Sequence, residues 1–157
     1  LMDSELETAR DSRTWAEFCW TLTAPLLQYV GQLKPDTTFT YLDADMWFFR
    51  DPGTVLREFE ASAAEILITE HGFHPLFDQS TQVGRFCVQF VSVRKPAQSQ
   101  VVEDWKAQCL EWCGQRPSER GFGDQKYLDQ WPAEYGDRVM VWPRTADFLG
   151  PWGAFRF

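Results

Sequence analysis

Three observations predict an α/β fold, a sheet layered with helices. Four stretches rich in β-branched and aromatic residues, Thr37 to Ala44, Glu65 to Thr69, Arg85 to Arg94 and Val139 to Trp142, punctuate the chain as strands. Segments with apolar residues at helical spacing lie between them. The 157 residues, 44% of them hydrophobic, suffice for one domain with a sizeable core, and no repeat or low-complexity linker divides them. Strands alternating with helices define an α/β layer structure, and such sheets bind ligands outside the carboxyl ends of their strands.

In chain order, Met2 to Arg10 reads as an acidic helical lead-in. Residues 12 to 23 place Trp15, Phe18, Cys19 and Leu22 on one helical stripe. Thr23 then stands where it can cap a second short helix, with Pro25 in its first turn and Leu26, Leu27 and Val30 along it. Lys34-Pro35-Asp36 is a turn into the first strand. Asp51-Pro52-Gly53 breaks the chain after it, and Thr54 to Phe59 is helical before the second strand. His71 to Gln82 is loop-like. After the third strand, residues 98 to 113 carry Val102, Trp105, Cys109, Trp112 and Cys113 on one stripe, and Gly114 stops that helix. Phe122 to Trp131 is a shorter helix ended by Pro132.

Charge and cysteine usage exclude several classes. The net charge is −8, from 23 acids against 15 scattered bases, which argues against binding a nucleic-acid backbone. No apolar run reaches the length of a membrane span, and the N-terminus lacks a basic segment followed by an apolar one. The four cysteines at 19, 87, 109 and 113 have no CxxC spacing, and only His71 and His74 could join them, so they read as reduced thiols of a cytoplasmic protein, not as a zinc site.

Asp43 and Asp45 stand two positions apart at the end of the first strand, in TFTYLDADMWFF. The period of two along a strand aims both carboxylates the same way. Apolar residues on either side imply burial, and buried carboxylates without compensation cost several kcal/mol each. A hard divalent cation, Mg²⁺ or Mn²⁺, removes that cost and keeps positions open for water and phosphate oxygens. The plain alternative is an aspartate that closes a turn or caps the next helix.

The run YLDADMWFFRDP resembles the DxD segment of GT-A fold nucleotide-diphospho-sugar transferases, of glycosyltransferase family 8-like character, found among bacterial cell-surface polysaccharide genes. GRFCVQFVSVRK at 84 to 95, WKAQCLEWC at 105 to 113, GFGDQKYLDQWP at 121 to 132 and FLGPW at 148 to 152 follow in the family's order. The resemblance spans the chain from Arg13 onward. It implies a GT-A mixed sheet flanked by helices, with residues 1–157 forming one partial catalytic domain. Nothing before Arg13 is similar to the strand and loop that bind the nucleotide base in such enzymes, so the chain reads as the catalytic middle of a longer protein.

The resemblance also assigns roles. Asp43 and Asp45 would hold Mn²⁺ or Mg²⁺ against the diphosphate of a nucleotide-sugar donor, Asp43 lying nearer the ribose. Asp124 and Gln125 would face donor sugar or acceptor, Asp124 acting as general base in an inverting reaction or as a hydroxyl ligand in a retaining one. Read alone, Asp124 complements a helix N-terminus. Arg13 would approach the donor, where an ion pair with Glu17 is the plain reading; Gln89 would bond sugar hydroxyls, where a strand amide is the plain reading; Gly84 would admit close approach of the ligand, or form a turn. The chain departs from its look-alikes at Cys87 and Gly153, where many carry Asn, and it has no His after His74 to complete a metal shell.

The expected function is transfer of a sugar from a nucleotide-diphosphate donor to a glycan or lipid-linked acceptor, in the cytoplasm, with peripheral association at the inner face of the membrane left open. The alternative from another class is a degenerate GT-A-like domain that binds carbohydrate without turnover. A phosphatase with DxD chemistry needs a downstream Lys and acidic pair that this sequence does not place.

Overall fold

A computed structural model describes residues 4–153 and 156 of the chain. It is an α/β structure built on one four-stranded mixed sheet of order β1-β3-β2-β4. The strands are β1 (Thr38–Leu42), β2 (Ile66–Glu70), β3 (Phe86–Arg94) and β4 (Val139–Val141). β3 runs antiparallel to both β1 and β2, while β4 is parallel to β2, so β1, β2 and β4 point their carboxyl ends the same way. The β2–β3 register shifts between Leu67 and Thr69.

Helices cover both faces. α3 (Thr23–Leu33) and α6 (Gln100–Glu111) lie on one side, where Ala24, Leu27, Val101, Val102 and Trp105 pack on Ile66, Ile68, Val91 and Val93. α4 (Gly53–Ala61) lies on the other, where Val55 and Phe59 meet Leu67, Phe90, Trp142 and Phe148. Burial on both faces explains why β3 is buried from Phe86 through Val93, a run without polar alternation that marks a central strand. β1 is an edge strand, uncharged and half-buried along most of its length.

α1 (Ser4–Ser12) matches the helical lead-in, of which Met2 and Asp3 lie outside the described residues. α2 (Trp15–Thr21) begins at the first residue of its apolar stripe and not at residue 12, because Thr14 and Glu17 form a reciprocal capping box: Thr14 N–H donates to Glu17 Oε2 at 2.9 Å and Glu17 N–H to Thr14 Oγ1 at 3.4 Å. Thr23 does not cap α3. It is the first helical residue, Leu22 occupies the cap position, and the Thr23 hydroxyl is used elsewhere. α6 is capped by Ser99, which accepts from Val102 N–H at 3.2 Å, and it ends at Glu111, before Gly114.

The loop expected from His71 to Gln82 holds a 3-10 turn, Pro75–Phe77, and the one-turn helix α5 (Ser80–Val83). The helix expected over Phe122 to Trp131 is a 3-10 turn, Lys126–Asp129, followed by α7 (Trp131–Tyr135). Pro132 lies in the first turn of α7 instead of ending a helix, since a first-turn residue needs no N–H donor.

Two expectations around the paired aspartates change. β1 stops at Leu42, so Asp45 lies on a turn, where Met46 N–H donates to Asp43 C=O at 3.2 Å, and strand periodicity does not orient it. The apolar run after them is not core: Trp47 is 77% and Phe49 91% exposed, and only Met46 tucks against the Phe59–Trp142 cluster. Among the described residues no helix is long and apolar enough to cross a membrane.

Candidate functional site

The site is built at the carboxyl end of β1. Asp43 N–H donates to Gln89 C=O at 3.1 Å, which extends the β1–β3 ladder by one bond and fixes the Asp43 backbone beside β3. Its carboxylate accepts the Tyr41 hydroxyl at 3.0 Å. Half-burial raises the pKa of Asp43, the Tyr41 hydrogen bond opposes the rise, and the charge of Asp45 adds to it. Asp45 itself is exposed at the mouth.

Asp124 joins them from the far end of the chain. It is buried, and its Oδ2 accepts the Thr23 hydroxyl at 2.9 Å across 101 positions of sequence. Its own carbonyl accepts the buried indole N–H of Trp105 at 2.8 Å, so α3 and α6 hold it from two directions. Burial pushes the Asp124 carboxyl from 3.8 up to about 7, the Thr23 hydrogen bond restrains the rise, and the negative charge of Asp43 adds to it. Burial raises the Cys87 thiol to about 12, and the charges of Asp43, Asp124 and Asp45 push the same way, so all three carboxylates act electrostatically on one neutral thiol on β3.

The other candidates fall into place around this cluster or away from it. Gln89 is buried on β3, and its Nε2 has no hydrogen-bond partner, nor has the buried Thr69 hydroxyl on β2. A buried amide donor without a partner is what a polar ligand would satisfy. Gln125 does not point freely into a cleft: its Nε2 donates to Val83 C=O at 2.7 Å. Gly84 has φ +107, and a Cβ there would meet Lys126 Cα and Asp129 Oδ1 at 3.4 Å, so the close approach it permits is to the 3-10 turn. Arg13 is drawn to the end of α6, where its guanidinium donates to Cys109 C=O at 2.6 Å, to Leu110 C=O and to Thr21 Oγ1, while Glu17 receives the Gln115 N–H at 3.0 Å. Gly153 sits where a Cβ would lie 2.7 Å from Gly72 C=O, which leaves no room for the Asn of its look-alikes without a shift of the backbone.

Sequence reasoning missed Thr23, Tyr41 and Thr69. Tyr41 sits two before Asp43 on the same strand face, a signal that was present. Thr23 carried no local sign of its partner, since Asp124 lies a hundred positions away.

The donor set suits a hard cation in one respect. Asp43, Asp45 and Asp124 are oxygen donors, and none of them enters an ion pair with a lysine or arginine among the described residues. No group of three or more His, Cys, Asp or Glu among the described residues is disposed to hold a metal ion. Any cation here would therefore be held by two carboxylates at most, with water and ligand oxygens filling the remainder.

No protein-family model matches the chain, and no solved structure matches it. It is similar to two proteins of Bacillus subtilis (strain 168), both described as uncharacterized. YfnD is 33% identical over 138 residues, 85% of this chain and 44% of the relative. YfnF is 32% identical over 128 residues, 76% of this chain and 42% of the relative. The chain thus spans less than half the length of the curated relatives it matches.

Proposed function

We propose that this chain is the catalytic part of a metal-dependent glycosyltransferase of the GT-A type, which moves a sugar from a nucleotide-diphosphate donor to a glycan or lipid-linked acceptor in the cytoplasm. The observation that carries the reading is the electrostatic coupling of Asp43, Asp45 and Asp124 near the carboxyl end of β1, with none of the three in an ion pair among the described residues. The DxD resemblance and the mixed sheet support it. Mn²⁺ or Mg²⁺ on Asp43 and Asp45 would supply Lewis-acid stabilisation of the departing diphosphate.

The chain's own residues do the rest. Tyr41 and the β1–β3 ladder hold Asp43 in place, and Asp45 offers its oxygens from the exposed turn. Asp124, with its pKa raised to about 7, is divided between protonated and ionised forms near neutrality, so it can take a proton from an acceptor hydroxyl or bond to a sugar hydroxyl. The Gln89 amide, buried without a partner, would donate to a ligand oxygen.

A carbohydrate-binding domain without turnover is the second reading, favoured by Arg13 and Gln125 being engaged within the protein and by Cys87 standing in place of an amide. Calorimetric titration of the 157-residue chain with UDP, GDP, CDP and dTDP, each with and without Mn²⁺, tests the metal site. Binding of one nucleotide should require Mn²⁺ and should weaken at least tenfold, about 1.4 kcal/mol, in Asp45→Asn. Metal-independent binding that the substitution leaves unchanged overturns the site as drawn. Hydrolysis of the matching nucleotide sugar then separates the enzyme from the binding domain.

A further inference from the structure

A second site lies on the segment between α6 and Asp124. After Glu111 the chain leaves its helix and folds into a narrow loop: Ser118 and Gly121 exchange backbone hydrogen bonds of 3.0 and 3.1 Å, and Gly123 N–H closes the base on Gly114 C=O at 2.8 Å. This loop and the start of α2 enclose an open cavity of about 810 Å³. Half-buried Trp112 forms one wall, and its ring lies close to two glycines: a Cβ on Gly114 would lie 2.6 Å from ring atom Cζ2, and one on Gly121 would lie 3.5 Å from Cζ3.

The charges around that wall are unevenly engaged. Glu17 lines the cavity as an ionised carboxylate: the N–H groups of Gln115 and Thr14 donate to its two oxygens and lower its pKa, so both oxygens are already engaged by the protein. Arg116 and Arg120 line it too. Both are exposed, and neither guanidinium enters an ion pair or a hydrogen bond with another described residue, although the chain carries a net charge of −8. Glu119 is the remaining charged group on the rim. Guanidinium pairs hold phosphate and carboxylate oxygens by forked hydrogen bonds, and an indole face beside them accepts the C–H face of a ring while hydroxyls and amides such as Thr14, Ser118 and Gln115 take polar edges.

We propose that this cavity binds a sugar carrying an oxyanion, phosphate or carboxylate, with Trp112 against the ring and Arg116 and Arg120 on the anion. The site is separate from Asp43 and Asp45 and does not depend on a metal. Its anion-binding groups are guanidiniums, whereas the groups of the acidic cluster are carboxylates.

The test follows the Trp112 indole signal by NMR, assigned with Trp112→Phe, in buffer containing EDTA. The probes are glucose 1-phosphate, glucuronate, glucose and inorganic phosphate. Saturable shifts are expected with glucose 1-phosphate, glucuronate or both, which tells the two anion sources apart. Glucose and inorganic phosphate should each bind at least about tenfold more weakly than the better anionic sugar. The double variant Arg116→Gln/Arg120→Gln should lose at least about tenfold in affinity, whereas Asp45→Asn should bind unchanged. The proposal is overturned by the absence of saturable shifts with both anionic sugars, by glucose or inorganic phosphate binding as tightly, or by affinity that survives the double variant. Loss of binding in Asp45→Asn would also overturn it, by moving the ligand to the acidic cluster. Because this arm contains no metal or nucleotide, its failure leaves the Asp43–Asp45 reading standing, and the reverse holds.

Discussion

Asp124→Asn isolates what a buried carboxylate costs this fold. The substitution keeps an oxygen to accept the Thr23 hydroxyl and removes the charge. In the unfolded chain the carboxyl ionises near 3.8; in the folded protein it does so near 7. Between those values the folded state keeps a proton that the unfolded state has released, so stability falls as pH rises through the window and levels off above it. About three pKa units at about 1.4 kcal/mol each make the full penalty about 4 kcal/mol. The variant should therefore match the parent near pH 4 and exceed it by up to about 4 kcal/mol at pH 8, equivalent to roughly 8–16 °C in a domain of this size. Burial lowers the pKa of His71, which gives a contribution of opposite sign, rising with pH up to about 6.5, but it is common to both proteins and cancels in the difference. Urea unfolding followed by tryptophan fluorescence from pH 4 to 8 measures that difference. A constant gap across the range, or a parent that gains on the variant as pH rises, would refute the assignment of a burial-strained carboxylate. If the gap opens as expected, the ionised side chain works against the fold, and its presence needs a reason other than stability.

Two further substitutions probe the scaffold around the site. Arg13→Met removes charge-assisted hydrogen bonds to the end of α6 and should cost about 2–3 kcal/mol, seen as a lower urea midpoint with an unchanged slope. Gly84→Ala forces a side chain into φ +107, although the added Cβ would meet Lys126 and Asp129 only at ordinary contact distance; a loss of about 1–3 kcal/mol from the backbone conformation is expected, and a neutral effect would show that the turn can relax.

The strands were legible because β-branched and aromatic residues cluster in short runs bounded by Gly, Pro and Asp, and tertiary contacts moved their ends by only a residue or two. Helix ends were less legible. Thr23 has the right side chain for a cap, yet its hydroxyl is recruited by Asp124, a choice that only the folded chain can express. Met46 to Phe49 reads as core in any hydrophobicity count, but the turn at Asp45 sends Trp47 and Phe49 into solvent, because composition does not state which way a loop faces. The paired aspartates were found by their spacing, although the strand geometry used to align them stops one residue short. Gln125 looked like a ligand residue beside Asp124, and its tether to Val83 C=O could not be inferred from spacing alone.

β3 is paired on both sides and buried from Phe86 through Val93, whereas Asp45 hangs on an exposed turn beyond the edge strand. Amide protons on β3 can meet solvent only when the sheet itself opens, but those of the turn can do so through local fraying. The two halves of the acidic cluster thus live on different clocks: Cys87 and Gln89 form a fixed floor, and the Asp45 carboxylate can reorient over it without disturbing the sheet.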